Sequence, residues 1–297
     1  MDRTFYEVKL KAAEVRKGVL NMGLLSGGGH ISPGFSCTDI LTTLYYGGVL
    51  KHDPKNPKWE DRDRFVLSKS HGCMPLFFIL ADRGYFDKKY LDLFNRPGGI
   101  LGSHPDMTKT PGIEASAASL GLGFAVATGI AYNGKYDKKD YRVFSLVGDG
   151  ECQEGTIWES LMFAGAYKLD NLTVIVDFNG YGAISRLSES SDVEPIADKF
   201  DAFNFSVRQV DGHSITQLLR LLKEVPYKTG KPSAIIAHTN KGKGVSFMEE
   251  AYNSGSPIWH TRVPKGAEIE IAKRDLENAI AEAKKELEEF EPSGAVK

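Results

Sequence analysis

Asp149 stands between Gly148 and Gly150 directly after a compact apolar run, RVFSLV at 142–147, and Asn179 follows a second such run, LTVIVDF at 172–178, within FNGYG. The glycines permit a tight turn and a close approach of backbone. A carboxylate, a side-chain amide oxygen and a nearby backbone carbonyl, that of Tyr181, are hard oxygen donors of the kind Mg²⁺ or Ca²⁺ takes. Such ions complete their shell with water and diphosphate oxygens. A lone GDG is most often only a turn between two elements. Its setting favours the metal reading, because a strand precedes it, a helix follows it and an asparagine ends the next strand.

For Asp149 and Asn179 to meet, the two apolar runs must be neighbouring strands. In an open parallel sheet, ligands bind outside the carboxyl ends of the strands, and a right-handed crossover brings those ends to one edge. The intervening residues 155–168 supply that crossover as a helix, with Ile157, Leu161, Ala164 and Tyr167 as its inward stripe. Upstream, residues 5–22 repeat apolar side chains at helical spacing. Residues 27–34 (GGGHISPG) are expected to be loop, residues 38–46 an apolar helix, 64–68 a short strand and 73–82 a helix. Residues 121–131 read as a small-residue helix that packs closely on a neighbour. Short strands at 206–210 and 233–237 flank a helix at 214–224. The alternation predicts an α/β fold, a mainly parallel sheet flanked by helices, in a single domain over residues 1–297. At its end a charged helix spans about 267–290, with Ile269, Leu276, Ile280 and Leu287 forming a seam that packs on the body or on a partner.

The chain has 297 residues, 41% of them apolar, with 37 Lys+Arg against 39 Asp+Glu and a formal net charge of −2. That balance excludes neither a large core nor an enzyme, but it argues against nucleic acid and anionic membrane surfaces as partners. No run approaches the ~18 apolar residues of a membrane span, and MDRTFYEVKL lacks the pattern of a secretory leader, so the expectation is a cytoplasmic protein. Cys37, Cys73 and Cys152 are too few and too scattered for a disulfide framework or a CxxC metal site.

The segment GDGECQEGTIWESLMFAGAYKLDNLTVIVDFNG resembles the cofactor segment of transketolases over its whole length. RFVLSKSHGCMPLFFIL, LGSHPD with PGIEASAASLGLG, and HTNKGKGVSFME with the histidine that follows are similar to further segments of that family, in family order from about Gly27 to His260. The resemblance implies a thiamine-diphosphate-binding fold, with thiamine diphosphate and Mg²⁺ or Ca²⁺ as cofactors. It also implies transfer of a two-carbon ketol unit from a ketose or ketose phosphate to an aldose, the thiazolium serving as electron sink.

Carried over residue by residue, Asp149, Asn179 and the Tyr181 carbonyl fall on the metal ligands. His71, Leu120, Gly148, Asp149, Gly150, Glu154 and Asn179 fall on cofactor contacts, His30, His71, His104 and His260 on active-site histidines, and His30, His104, His260 and Glu154 are the catalytic candidates. By the same resemblance His30 and His260 assist proton movement at donor oxygens, His104 holds a donor hydroxyl, and His71 touches cofactor and substrate, a task suited to imidazoles. Glu154 corresponds to a glutamate at the family's subunit interface. His52, His213 and His238 are read as structural. Full-length family members carry a pyrimidine-binding domain and a C-terminal domain that this chain ends before. It therefore looks like the N-terminal subunit of a split enzyme, active only with a C-terminal subunit that brings the pyrimidine-binding domain, in a two-plus-two heterotetramer.

The chain departs from the family at Ala118, Ser119 and Leu122, in GHISPGFS and in GYGAISRLSES, beside the cofactor and donor positions. The sugar is therefore left open. Rival readings are a subunit of a 2-oxoacid dehydrogenase or of a deoxyxylulose phosphate synthase, and a non-catalytic cofactor-binding subunit. A dinucleotide oxidoreductase is disfavoured, because GLGFAVATG lacks the GxGxxG spacing and a good preceding strand.

Overall fold

A computed structural model describes residues 2–290. In chain order the elements are α1 (Arg3–Ser26), α2 (Ile31–Tyr46), β1 (Arg64–Leu67), α3 (Met74–Arg83), α4 (Leu122–Tyr136), β2 (Val143–Gly148), α5 (Gly155–Ala166), β3 (Leu172–Phe178), α6 (Ile196–Ala202), β4 (Ser206–Asp211), α7 (Ile215–Glu224), β5 (Ser233–His238), α8 (Ser246–Asn253) and α9 (Ala267–Phe290). The five strands form one sheet in the order β1-β2-β3-β5-β4, and every pairing is parallel.

Side chains of a strand alternate between its two faces, and this alternation sorts the core into two layers. Phe65, Phe144, Leu146, Ile175 and Ile235 pack with α1, α2, α3 and α7 on one side. Val66, Val147, Val174, Val176 and Ile236 pack with α4, α5 and α6 on the other. Both faces are covered, which is why the central strands read as near-continuous apolar runs. The α9 helix lies along α1, holding Leu276 and Ala272 buried, pairing Lys9 with Glu286 and Lys17 with Glu277, and stacking Tyr6 on Phe290.

Three expectations change. The loop at 27–34 ends at His30, because Ile31 to Gly34 already form the first turn of α2. Pro33 is tolerated there since a first-turn residue has no intrahelical donor to lose. At Gly34 a Cβ would stand 3.0 Å from Pro75 Cδ, a tight contact that glycine avoids. Tyr167 is not part of the inward stripe of α5; it caps the helix and is 53% exposed, while Ile157, Leu161 and Ala164 are buried. The short helices α6 and α8 have no counterpart in the sequence pattern. The close packing of α4 is upheld: a Cβ on Gly123 would lie 2.6 Å from Ser68 Cα. All three cysteines are buried free thiols.

Candidate active site

A cavity of about 240 Å³ opens at the carboxyl ends of β1, β2, β3 and β5. Lys69 and His71 enter it after β1, Gly148 to Glu151 after β2, Asn179 and Tyr181 after β3, and Lys241 after β5, with His260, Leu120 and Glu154 at its walls. Parallel strands make this convergence unavoidable, since all their carboxyl ends share one edge.

Asp149 is buried, and its two carboxylate oxygens accept the backbone N–H groups of Gly150 at 2.8 Å and Gly180 at 2.5 Å. Asn179 turns its Oδ1 to the N–H of Tyr181 at 3.2 Å and donates from Nδ2 to the carbonyl of Asp177 at 3.3 Å. The Tyr181 carbonyl accepts from Lys241 Nζ at 2.9 Å, and that ammonium also reaches the Gly182 carbonyl at 2.8 Å. Burial and the neighbouring charge of Asp177 raise the Asp149 carboxyl; burial lowers Lys241, which Asp149 opposes.

His71 and His260 line the cavity, with ring centroids 5.7 Å apart. His30 joins them at 5.4 Å from His71 and 5.3 Å from His260, and His104 lies 6.2 Å from His30. The four imidazoles assigned from sequence thus form one cluster. Burial is the first cause that keeps them neutral. It holds His30 down to about 4, helped by His104, Lys69 and Lys241, and His260 down to about 3, helped by Lys241 and His30. His71 is held well below its usual value by burial and Lys69, and His104 is lowered by burial.

These depressed imidazoles make stability depend on pH. Unfolded imidazoles bind protons near 6.5 while His30 does not until about 4, so the unfolded state binds more protons between those values and stability falls as pH falls through that window. The variant His30→Gln/His260→Gln should lose less of its urea midpoint than the parent between about pH 7 and about pH 5. Equal losses would show that these imidazoles are not held neutral by the fold.

Four charged residues of the site carry no motif that singles them out in the sequence. Lys69 and Asp177 form a fully buried ion pair in which Lys69 also donates to the Pro33 carbonyl, and Asp177 accepts from Ser36 and Thr239. Burial alone would drive Lys69 down and Asp177 up, but each holds the other charged. Glu151 is buried among the Ser68 hydroxyl and the N–H groups of Gly121 (2.8 Å) and Gly148 (2.9 Å), tying three cavity loops together. Lys241 completes the set. One signal was present: an Asp at the end of the apolar run LTVIVDF must be paired if that strand is buried. Glu154 is exposed at the rim, its Cβ 3.2 Å from where a Cβ on Gly121 would sit. Leu120 lines the cavity, whereas Leu122, on the outer face of α4, is 50% exposed. The histidines read as structural have protein partners: His52 with Tyr85, His213 with Asp39 and His238 with Gln209.

The donor set suits a hard divalent cation bound together with an anionic ligand. Among the described residues no group of three or more His, Cys, Asp and Glu side chains could hold a metal alone. A cation here would draw on one carboxylate, neutral oxygens and its ligand's own oxygens, the pattern of Mg²⁺ with phosphates. None of the helices among the described residues is long and apolar enough to cross a membrane.

The family model described as transketolase, thiamine diphosphate binding domain, matches residues 14–283. A 6-deoxy-6-sulfo-D-fructose transketolase subunit of Clostridium sp. (strain MSTE9) is 38% identical over 90% of this chain and 97% of its own length. An apulose-4-phosphate transketolase subunit of Phocaeicola vulgatus is 36% identical over 94% of this chain and 97% of its own. The human transketolase is 33% identical, and the match spans 44% of its length. The crystal structure of transketolase from Campylobacter jejuni superposes with a TM-score of 0.78 at 29% identity, over 95% of this chain and 48% of that one.

Proposed function

The chain belongs to the transketolase family through its thiamine diphosphate-binding domain, and from that membership we propose that it is the N-terminal subunit of a two-chain transketolase, moving a ketol unit from a ketose to an aldose. The observation that carries the reading is the convergence of Asp149, Asn179 and Tyr181 with His71 and His260 at one strand-end cavity, with the His30 ring against both histidines and His104 beside His30. Asp149, Asn179 and Tyr181 would hold the cation. Leu120, Gly148, Gly150 and His71 would flank thiamine diphosphate, which when bound supplies the electron sink for cleavage beside a carbonyl.

The residues of this chain then have separable tasks. Because burial keeps His30 and His260 neutral, each offers one N–H donor and one lone pair to a donor-sugar oxygen, and would take up a hydroxyl proton on its free nitrogen and return that same proton later in the turnover. His104, between α3 and α4, would hold a donor hydroxyl. Closure of the site by a partner would exclude water from these groups.

That partner is the C-terminal subunit with the pyrimidine-binding domain, in a two-plus-two assembly. What supports it is an exposed ring cluster shared by α4 and α5, the helices whose N-terminal ends border the cavity: Tyr132 of α4 and Phe163 of α5 are exposed together with Tyr167, and Phe163 and Tyr167 meet at 4.3 Å. An apolar patch of this kind marks an association surface, and Glu154 at its edge would meet the partner. The donor is read as a ketose with an anionic terminus, phosphate or sulfonate, because the two subunit relatives are named for such sugars. A cytoplasmic setting, without nucleic acid or membrane partners, accords with the near-neutral charge.

The test is ketol transfer by this chain mixed with its cognate C-terminal subunit, thiamine diphosphate, Mg²⁺ and a panel of phosphorylated and sulfonated ketoses. Activity is expected only in the mixture, and Phe163→Glu should abolish it by preventing co-elution of the two chains. Cofactor binding without transfer from any donor would point to another thiamine-dependent reaction or to a non-catalytic role.

A further inference from the structure

His213 lies outside the cavity, yet its two ring nitrogens join the buried core to the loop that carries Lys241. Nδ1 is 2.7 Å from Asp39 Oδ2 on α2, and Nε2 receives the backbone N–H of Asn240 at 2.8 Å. A backbone amide can only donate, so Nε2 must present its lone pair and the ring proton must sit on Nδ1, donating to Asp39. Asp39 is held in turn by Arg16 of α1 at 3.0 and 2.6 Å, and the same guanidinium donates to the Phe35 carbonyl at 3.1 Å. Burial would raise the Asp39 carboxyl, but Arg16 and His213 hold it well below the usual range, so this acceptor is charged.

Packing ties the same two loops together. A Cβ on Gly212 would fall 2.4 Å from Thr239 Cγ2, and the Gly212 N–H donates to the His238 carbonyl at 2.8 Å. On the other side of Lys241, the Gly242 N–H donates to the Ser32 carbonyl at 3.2 Å. Between these anchors Lys241, only 3% exposed, reaches into the cavity.

We propose that His213 is a positioning residue: by accepting the Asn240 amide it fixes the backbone of residues 239–242 so that Lys241 is presented, already ordered, to the anionic group bound in the cavity. A lysine held in place before binding loses less freedom when its ligand arrives, so the anchor appears as ligand affinity. The inference rests on the function proposed above only for the identity of that anion as the cofactor's diphosphate.

Two substitutions separate positioning from mere packing. His213→Gln places a side-chain oxygen where Nε2 sits and keeps the acceptor for Asn240. His213→Asn reaches only as far as Nδ1, keeping a donor to Asp39 while leaving the Asn240 amide without its acceptor. With Mg²⁺, affinity for thiamine diphosphate should fall roughly 3- to 10-fold in His213→Asn and stay within about 2-fold of the parent in His213→Gln, the span set by one unmade hydrogen bond. In the ligand-free protein, an amine-acylating reagent read out by peptide mass spectrometry should label Lys241 faster in His213→Asn than in His213→Gln. Equal affinity and equal labelling in the two variants, whatever their melting temperatures, would overturn the assignment. Labelling that separates the variants in a protein that binds no thiamine diphosphate would uphold the positioning and sink the cofactor reading instead.

Discussion

Asp149→Asn should abolish Mg²⁺-dependent retention of thiamine diphosphate while leaving the fold in place. The wild-type carboxylate is oriented by two backbone donors, Gly150 and Gly180, that converge on its separate oxygens. An asparagine of the same shape must turn its NH₂ toward one of those donors and loses the negative charge that a divalent cation needs. Removing even an outer partner of a metal ligand costs about 10- to 100-fold in metal affinity, so losing the carboxylate itself should cost more than about 100-fold in cofactor affinity and take ketol transfer below detection. Stability without ligands should be largely retained, because the substitution also removes a buried charge that the neighbouring Asp177 repels. Calorimetric titration with Mg²⁺ and thiamine diphosphate, alongside a thermal melt, reads both quantities. Unchanged affinity would mean that the cation is held elsewhere.

The second large effect is expected at the base of the site. Lys69→Met leaves Asp177 buried without its ion-pair partner, its carboxylate keeping the hydrogen bonds of the Ser36 and Thr239 hydroxyls. Breaking a buried pair from one side costs about 3–5 kcal/mol, because the remaining charge has no compensation. For a chain of this size that corresponds to a fall in melting temperature of roughly 6–10 °C. Adding Asp177→Asn removes the orphaned charge, so the double variant should be more stable than Lys69→Met alone. A double variant that is worse still would show that Asp177 acts through its hydrogen bonds and not through the pair.

Much of this architecture is legible in the chain because it depends on local pattern. The runs RVFSLV and LTVIVDF are strands on composition alone, and once they are parallel neighbours Asp149 and Asn179 must share an edge. His30, His71, His104 and His260 can be chosen among seven histidines only through their flanking motifs, and the fold brings all four together. The start of α2 reads as loop because glycine and proline are penalised in a helix interior, a penalty that does not extend to a first turn. Tyr167 reads as part of a stripe because the apolar spacing continues past Ala166, where α5 stops.

Periodicity and residues close together along the chain are enough for the α/β alternation, the strand-end position of the candidate metal ligands and the family. Which charges are buried, and with whom, depends on folding alone. Lys69 and Asp177 are 108 positions apart, Asp39 and His213 are 174 apart, and Lys241 meets the Tyr181 carbonyl across 60. A charged side chain in the sequence reads the same whether it faces water or a partner. Its energy is set by the dielectric and the neighbours that the fold assembles around it, and in this protein those neighbours keep Lys69 and Asp177 charged and the cavity's imidazoles neutral.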